Sequence, residues 1–169
     1  NHSSIITSQQ LQNMPKLKSL CLEKDTLIDN FGIGGGNLTS LTNLEMYSCK
    51  ISNDAIINLK NLENLTISFN DLITDAAFQK LVKLKELCLA VNKNVTDNAI
   101  IHLSSLTKLD LMATPKITNS CFSKLPNLQY LKLRDNKQIT HEGLLDLTNL
   151  KSLSITGNFD KFGINYLTS

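Results

Sequence analysis

The sequence predicts an α/β solenoid, a stack of repeats that each contribute one short parallel strand and one short helix. Two observations predict it. Leucines recur as L-x-x-L-x-L with a spacing of 22 residues over most of the chain. Within each unit the apolar period changes from two to between three and four.

The leucine sets are Leu17/Leu20/Leu22, Leu41/Leu44/Met46, Leu62/Leu65/Ile67, Leu84/Leu87/Leu89, Leu106/Leu109/Leu111, Leu128/Leu131/Leu133 and Leu150/Leu153/Ile155. Repeats therefore start near 17, 41, 62, 84, 106, 128 and 150, after a partial repeat over 1–16. In the x-L-x-L-x stretch, alternation puts leucines on one face of a strand. Three residues after the third apolar position stands a small residue: Asn70, Asn92, Thr114, Asn136 and Asn158, with Asp25 and Cys49 in the first two repeats. Ile or Val then precedes Thr or Ser and usually Asp or Asn, as in Ile73-Thr74-Asp75 and Val95-Thr96-Asp97. The hydroxyl suits a helix N-cap and the acid suits the positive end of the helix dipole. Apolar residues follow at spacings of three and four, with Phe78 and Phe122 among them, which predicts about two helical turns. One strand and one helix in constant order make the strands parallel and the superhelix right-handed. No repeat can bury its leucines alone, so neighbours stack, with strands on the concave side and short helices on the convex side.

These repeats resemble the leucine-rich-repeat superfamily over nearly the whole chain. The Ile-Thr-Asp tract resembles the cysteine-containing class found in F-box adaptors and some bacterial effectors, and the length of 22 is that of internalin-type repeats. The resemblance implies a protein-binding module without cofactor. Its alternative is the substrate-recognition domain of a ubiquitin-ligase adaptor or secreted effector whose activity lies elsewhere. Both ends cut through repeats, since Ile6, Leu11 and Met14 match a second half without a strand and Ile164 and Leu167 a shortened one. The expectation is a single repeat domain, 1–169, within a longer polypeptide.

Composition narrows the function. Net charge is +2, with charges scattered along the chain, so the sequence shows no basic field for nucleic acid. No apolar run approaches the roughly 18 residues of a membrane span. Four cysteines form no C-x-x-C pair, and Cys21 and Cys88 fall three strands apart in one column, so neither zinc nor disulfides are expected. Unpaired thiols point to a reducing, cytoplasmic compartment, or host cytosol for an effector. His102 and His141 fall on different helices, and no cysteine or carboxylate constellation recurs around them at metal or triad geometry, so no catalytic set is expected. The glycines at 34–36 lack the Lys-Ser/Thr of a phosphate loop and are expected to be a tolerated insertion.

The asparagine positions are expected to be structural, satisfying backbone groups in the turn after each strand. The residues between the leucines are expected to face outward from the concave sheet. Among these, Tyr47, Phe69, Val91 and Met112 form an apolar cluster on neighbouring strands. Tyr130 and Arg134 join it as hot-spot residue types, with Glu45, Glu86, Asp110 and Lys132 as a polar rim. Phe69 and Val91 have a second option, to tuck under the bend as partial core.

Overall fold

A computed structural model describes residues 6–24 and 27–156. Seven strands make one sheet in sequence order: β1 (Ser19–Leu22), β2 (Asn43–Tyr47), β3 (Asn64–Ser68), β4 (Glu86–Ala90), β5 (Lys108–Met112), β6 (Tyr130–Arg134) and β7 (Ser152–Thr156). Every neighbouring pair is parallel, and the register aligns Leu44, Leu65, Leu87, Leu109 and Leu131 in one row and Met46, Ile67, Leu89, Leu111 and Leu133 in the next. Both rows are buried. Burying one such side chain is worth about 1.5–3 kcal/mol, and here the contact surface is the adjacent repeat.

The returning segments differ from the expected two helical turns. They are 3-10 turns at Asn53–Ala55, Asp75–Ala77, Asp97–Ala99, Asn119–Lys124 and His141–Leu144. Only α1 (Ser8–Gln12) and α2 (Asn30–Gly34), five residues each, are α-helical among the described residues. The reason is width. Strands stack about 4.8 Å apart, whereas an α-helix with its side chains is about 10 Å across. A tighter, shorter turn lets the convex side keep pace with the sheet. Ala77, Phe78, Cys121 and Phe122 fill the space beneath.

The residue after each Ser/Thr does more than meet a helix dipole. At Asn53, Asp75, Asp97 and Asn119 its side chain bonds the next repeat. Asp75 accepts from the N–H and the hydroxyl of Thr96, both at 2.7 Å. Asp97 accepts from the same two groups of Thr118, at 2.8 and 2.6 Å. Where the residue is Asn, its oxygen takes the N–H and its amide donates to the hydroxyl, as Asn53 does to Thr74 and Asn119 to Thr140. Among the described 3-10 turns, Thr96 and Thr118 also cap their own, by accepting from Asn98 and Ser120.

The turn after each strand has its own polar row. Asn92 Oδ1 accepts from the Asn70 N–H at 3.1 Å, and its amide donates to the Ile67 carbonyl at 2.8 Å. Asn136 likewise accepts from the Thr114 N–H at 3.0 Å and donates to Leu111 at 3.0 Å. Asn70 behaves differently. Its amide donates to Ser68 in its own repeat, and its buried oxygen has no partner among the described residues. The repeat before it is one residue shorter and carries Cys49, whose thiol donates to Leu22 at 3.4 Å. Asn158 and Asp25 lie outside the described residues.

Immediately before this row, Ser48, Phe69, Val91, Ala113 and Asp135 all have φ between 48° and 55°. Their N–H groups donate to the carbonyls of Ser68, Ala90, Met112, Arg134 and Thr156 on the following strand. The left-handed residue thus keeps the ladder bonded while turning the chain inward. For a residue with a Cβ this costs about 1–2 kcal/mol.

The glycine insertion is packed, not merely tolerated. A Cβ on Gly34 would stand 2.3 Å from the Asp54 carbonyl oxygen, and Gly36 has φ of +99°. Buried Gln12 ties the loop down, donating to Gly32 at 2.8 Å and accepting from Asn37 at 3.1 Å.

Two stability outcomes follow, both read from urea unfolding midpoints. Asn92→Leu strands two buried groups and lowers stability by about 1–3 kcal/mol, whereas Asn70→Leu, which removes an oxygen already without a partner, costs less. Val91→Asn places a residue tolerant of positive φ at a β-branched position and raises stability by about 1 kcal/mol; a midpoint that falls would show that Val91 packing outweighs the backbone term.

Candidate functional site on the open face of the sheet

Leucines fill the inner positions, so the alternate side chains stand on the other face of the sheet. The register places Tyr47, Ser68, Ala90, Met112 and Arg134 in one row near the strand ends. Ser68 and Ala90 are small and almost covered, so they floor the interval between Tyr47 and Met112. The left-handed bend places Phe69 and Val91 just beyond that row. Phe69 does not tuck under the bend, being 57% exposed, while Val91 is half-buried. The fold therefore brings Tyr47, Phe69, Val91 and Met112 onto neighbouring strands, and Arg134 reaches back with Nη1 3.5 Å from the Met112 sulfur.

Sequence reasoning passed over Leu72, which is 56% exposed in the loop three residues beyond Phe69. Its signal was an apolar residue where the other repeats carry Asn94, Lys116 and Gln138. Tyr130, by contrast, sits at the opposite end of its strand from the apolar cluster. With Lys108, Asp110, Lys132 and Ser152 it lines a separate shallow depression of about 360 Å³.

The charged residues pair laterally, one repeat apart. Lys108 meets Glu86 at 3.2 Å and Lys132 meets Asp110 at 3.0 Å. Exposed pairs of this kind contribute under about 1 kcal/mol each, so their main effect is to neutralise the middle of the face. Glu45 meets no such cation among the described residues and accepts from the Tyr47 hydroxyl at 2.8 Å. That hydrogen bond, with burial, pushes the Tyr47 phenol up to about 12, so it remains a neutral donor. Glu45, Glu86 and Asp110 border a polar depression of about 390 Å³ with Asn43, Thr66 and Cys88.

This arrangement offers surface for recognition and little for bond-making chemistry. All four thiols are free. Burial pushes Cys88 up to about 11 and raises Cys49 and Cys121 as well, so all three are poor nucleophiles. Among the described residues, no group of three His, Cys, Asp or Glu side chains is placed to hold a metal ion, and no helix is long and apolar enough to cross a membrane.

Known structures share this architecture. Internalin C2 of Listeria monocytogenes is 26% identical, with a TM-score of 0.69 over 93% of this chain and 68% of that one. The Toll–Spatzle complex of Drosophila contains a chain 21% identical, with a TM-score of 0.71 over 90% of this chain and 22% of that one. A chain of the TLR13–ssRNA13 complex is 23% identical, with a TM-score of 0.64 over 95% of this chain and 31% of that one. The latter two show the fold alone, and this chain spans a third or less of either. No curated protein matches the sequence. A family model describing a BspA type leucine rich repeat region matches residues 49–168 in six copies, and over the described part of that stretch, 49–156, the strand, left-handed bend and 3-10 turn recur; the chain belongs to that family.

Proposed function

We propose that this chain is a non-enzymatic recognition module whose concave sheet face binds a protein partner through Tyr47, Phe69, Val91 and Met112, with Arg134, Glu45, Glu86, Asp110 and Lys132 around them. The observation that carries the reading is Phe69. It combines a positive φ with a largely exposed aromatic ring. Asn or Gly would hold the same bend at lower cost, and nothing in the core uses the ring. Strain kept together with an exposed apolar side chain points to a duty outside the fold. The neighbouring strands supply further apolar surface and charge pairs that leave it electrically quiet, which suits the desolvated centre of an interface. The face is built on strands, so it is rigid before binding and little ordering cost falls on this side. Leucine-rich-repeat proteins generally serve as interaction modules, and Toll is seen in complex with Spatzle, which supports a protein ligand over a small molecule.

The test is affinity capture with three immobilised forms: the unaltered chain, Phe69→Asp/Met112→Asp, and a convex-side control, Leu145→Asp. The expected result is a set of proteins retained by the first and third and reduced at least tenfold by the second, because each buried charge removes about 1 kcal/mol or more of contact. Equal retention by all three forms overturns the reading.

A further inference from the structure

The second surface worth explaining is the rim where the strands begin. Charges that look scattered along the sequence gather there once the repeats stack. Within two residues of the first leucine of five of the seven repeats stand Lys16, Lys18, Lys60, Lys83, Lys85, Lys108 and Lys151, all exposed. The acids in the same span are Glu63 and Glu86, met by Lys85 at 2.8 Å and Lys108 at 3.2 Å. The opposite rim mixes lysines with Asp71, Asp75, Asp97, Asp135 and Glu142. Seven strands at about 4.8 Å spread the basic row over roughly 29 Å.

Amides lie between these lysines. Asn61, Asn127 and Asn149 each donate Nδ2 to a carbonyl of the preceding repeat, those of Thr39, Ser104 and Pro126, at 2.8–2.9 Å. The Asn61 oxygen receives the Lys83 ammonium at 2.8 Å. The oxygens of Asn127 and Asn149 accept from no described residue. With Gln129 and Lys151 these two asparagines line a depression of about 240 Å³.

We propose that this rim binds an acidic polysaccharide, a hydroxyl-rich chain carrying carboxylate or sulfate groups, seated at the Asn127–Gln129–Asn149–Lys151 depression and running along the lysines. The chemistry favours a sugar chain. Amide oxygens and NH2 groups match hydroxyls, which both donate and accept. Lysines supply point charges along a line. A single-stranded nucleic acid would call for a series of aromatic rings to stack successive bases, and phosphate would favour the planar fork of arginine, yet among the described residues the rim carries one ring, Tyr130, and no arginine. The site is separate from the apolar patch at the strand ends, so the two can be occupied together.

The experiment is calorimetric titration of the chain with heparin, alginate, neutral dextran and a 20-residue oligo(dT), at low and physiological salt. Heparin and alginate bind with an affinity that falls as salt rises, and dextran does not bind. Lys83→Glu/Lys151→Glu weakens both acidic chains about tenfold or more. Gln129→Ala, which leaves net charge unchanged, weakens them about threefold through one lost hydrogen bond. Lys116→Glu/Lys137→Glu, on the opposite rim, changes affinity less than twofold. Three results overturn the proposal: no binding of either acidic chain at low salt, equal losses from both lysine pairs, or tighter binding of oligo(dT) than of the polysaccharides, which would make the rim a nucleic-acid surface.

Discussion

Each repeat turns sharply at the end of its strand, and the turn carries backbone N–H and C=O groups into an interior that water does not reach. A buried polar group without a partner costs about 1–3 kcal/mol, so the turn is stable only if something supplies the bonds. Neighbouring repeats supply most of them, the Asn70 amide to Ser68 being an exception within one repeat. Asn92 serves the backbone of Asn70 and Ile67, and Asn136 that of Thr114 and Leu111. On the other side, Asp75 and Asp97 hold the backbone of the repeats that follow them. The leucine rows obey the same rule, since the surface that covers each leucine belongs to its neighbours. Stability in this molecule is therefore a property of adjacent pairs of repeats.

The same dependence shapes the surface. A structure built by repetition turns one position in the repeat into a row across the molecule. Selecting a few residues at one position then writes a feature about 29 Å long. At the strand ends Tyr47, Phe69, Val91 and Met112 make the surface apolar over β2 to β5, and it ends on Arg134. Along the middle of the strands, acids and lysines pair one repeat apart. At the strand starts the row is lysine and amide. The left-handed residue links fold to function: the bend needs its backbone, the core does not need its side chain, and so its identity is free to vary from Ser48 to Phe69 to Asp135.

Much of this was legible in the sequence because period and register are sequence properties. The strand positions, the parallel order, the buried leucine rows and the outward columns all follow from a 22-residue spacing and strand alternation. What was not legible depends on distances across repeats. The width of an α-helix against the strand spacing decides that the returning segments are 3-10 turns. The Asp and Asn after each threonine are indistinguishable in sequence from helix-capping residues, and only stacking shows them bonding forward. Phe69 could have been core, because its exposure depends on the sign of one backbone angle. The lysine rim was hidden for a simpler reason: successive members lie up to 43 residues apart in the chain, between Lys108 and Lys151, and only the solenoid makes them neighbours.

The claim on which everything else rests is that neighbouring repeats hold each other's turns rigid, and native-state hydrogen exchange tests it most directly. The amides of Asn70, Thr114, Thr96 and Thr118 donate to side chains of an adjacent repeat. They should exchange as slowly as the amides inside β3, β4 and β5, with the same opening free energy, because freeing them requires separating repeats. Exchange of these four amides at the rate of surface loops, with the strands still protected, would show that the inter-repeat bonds do not hold the turns and that the open face is not the rigid surface described here.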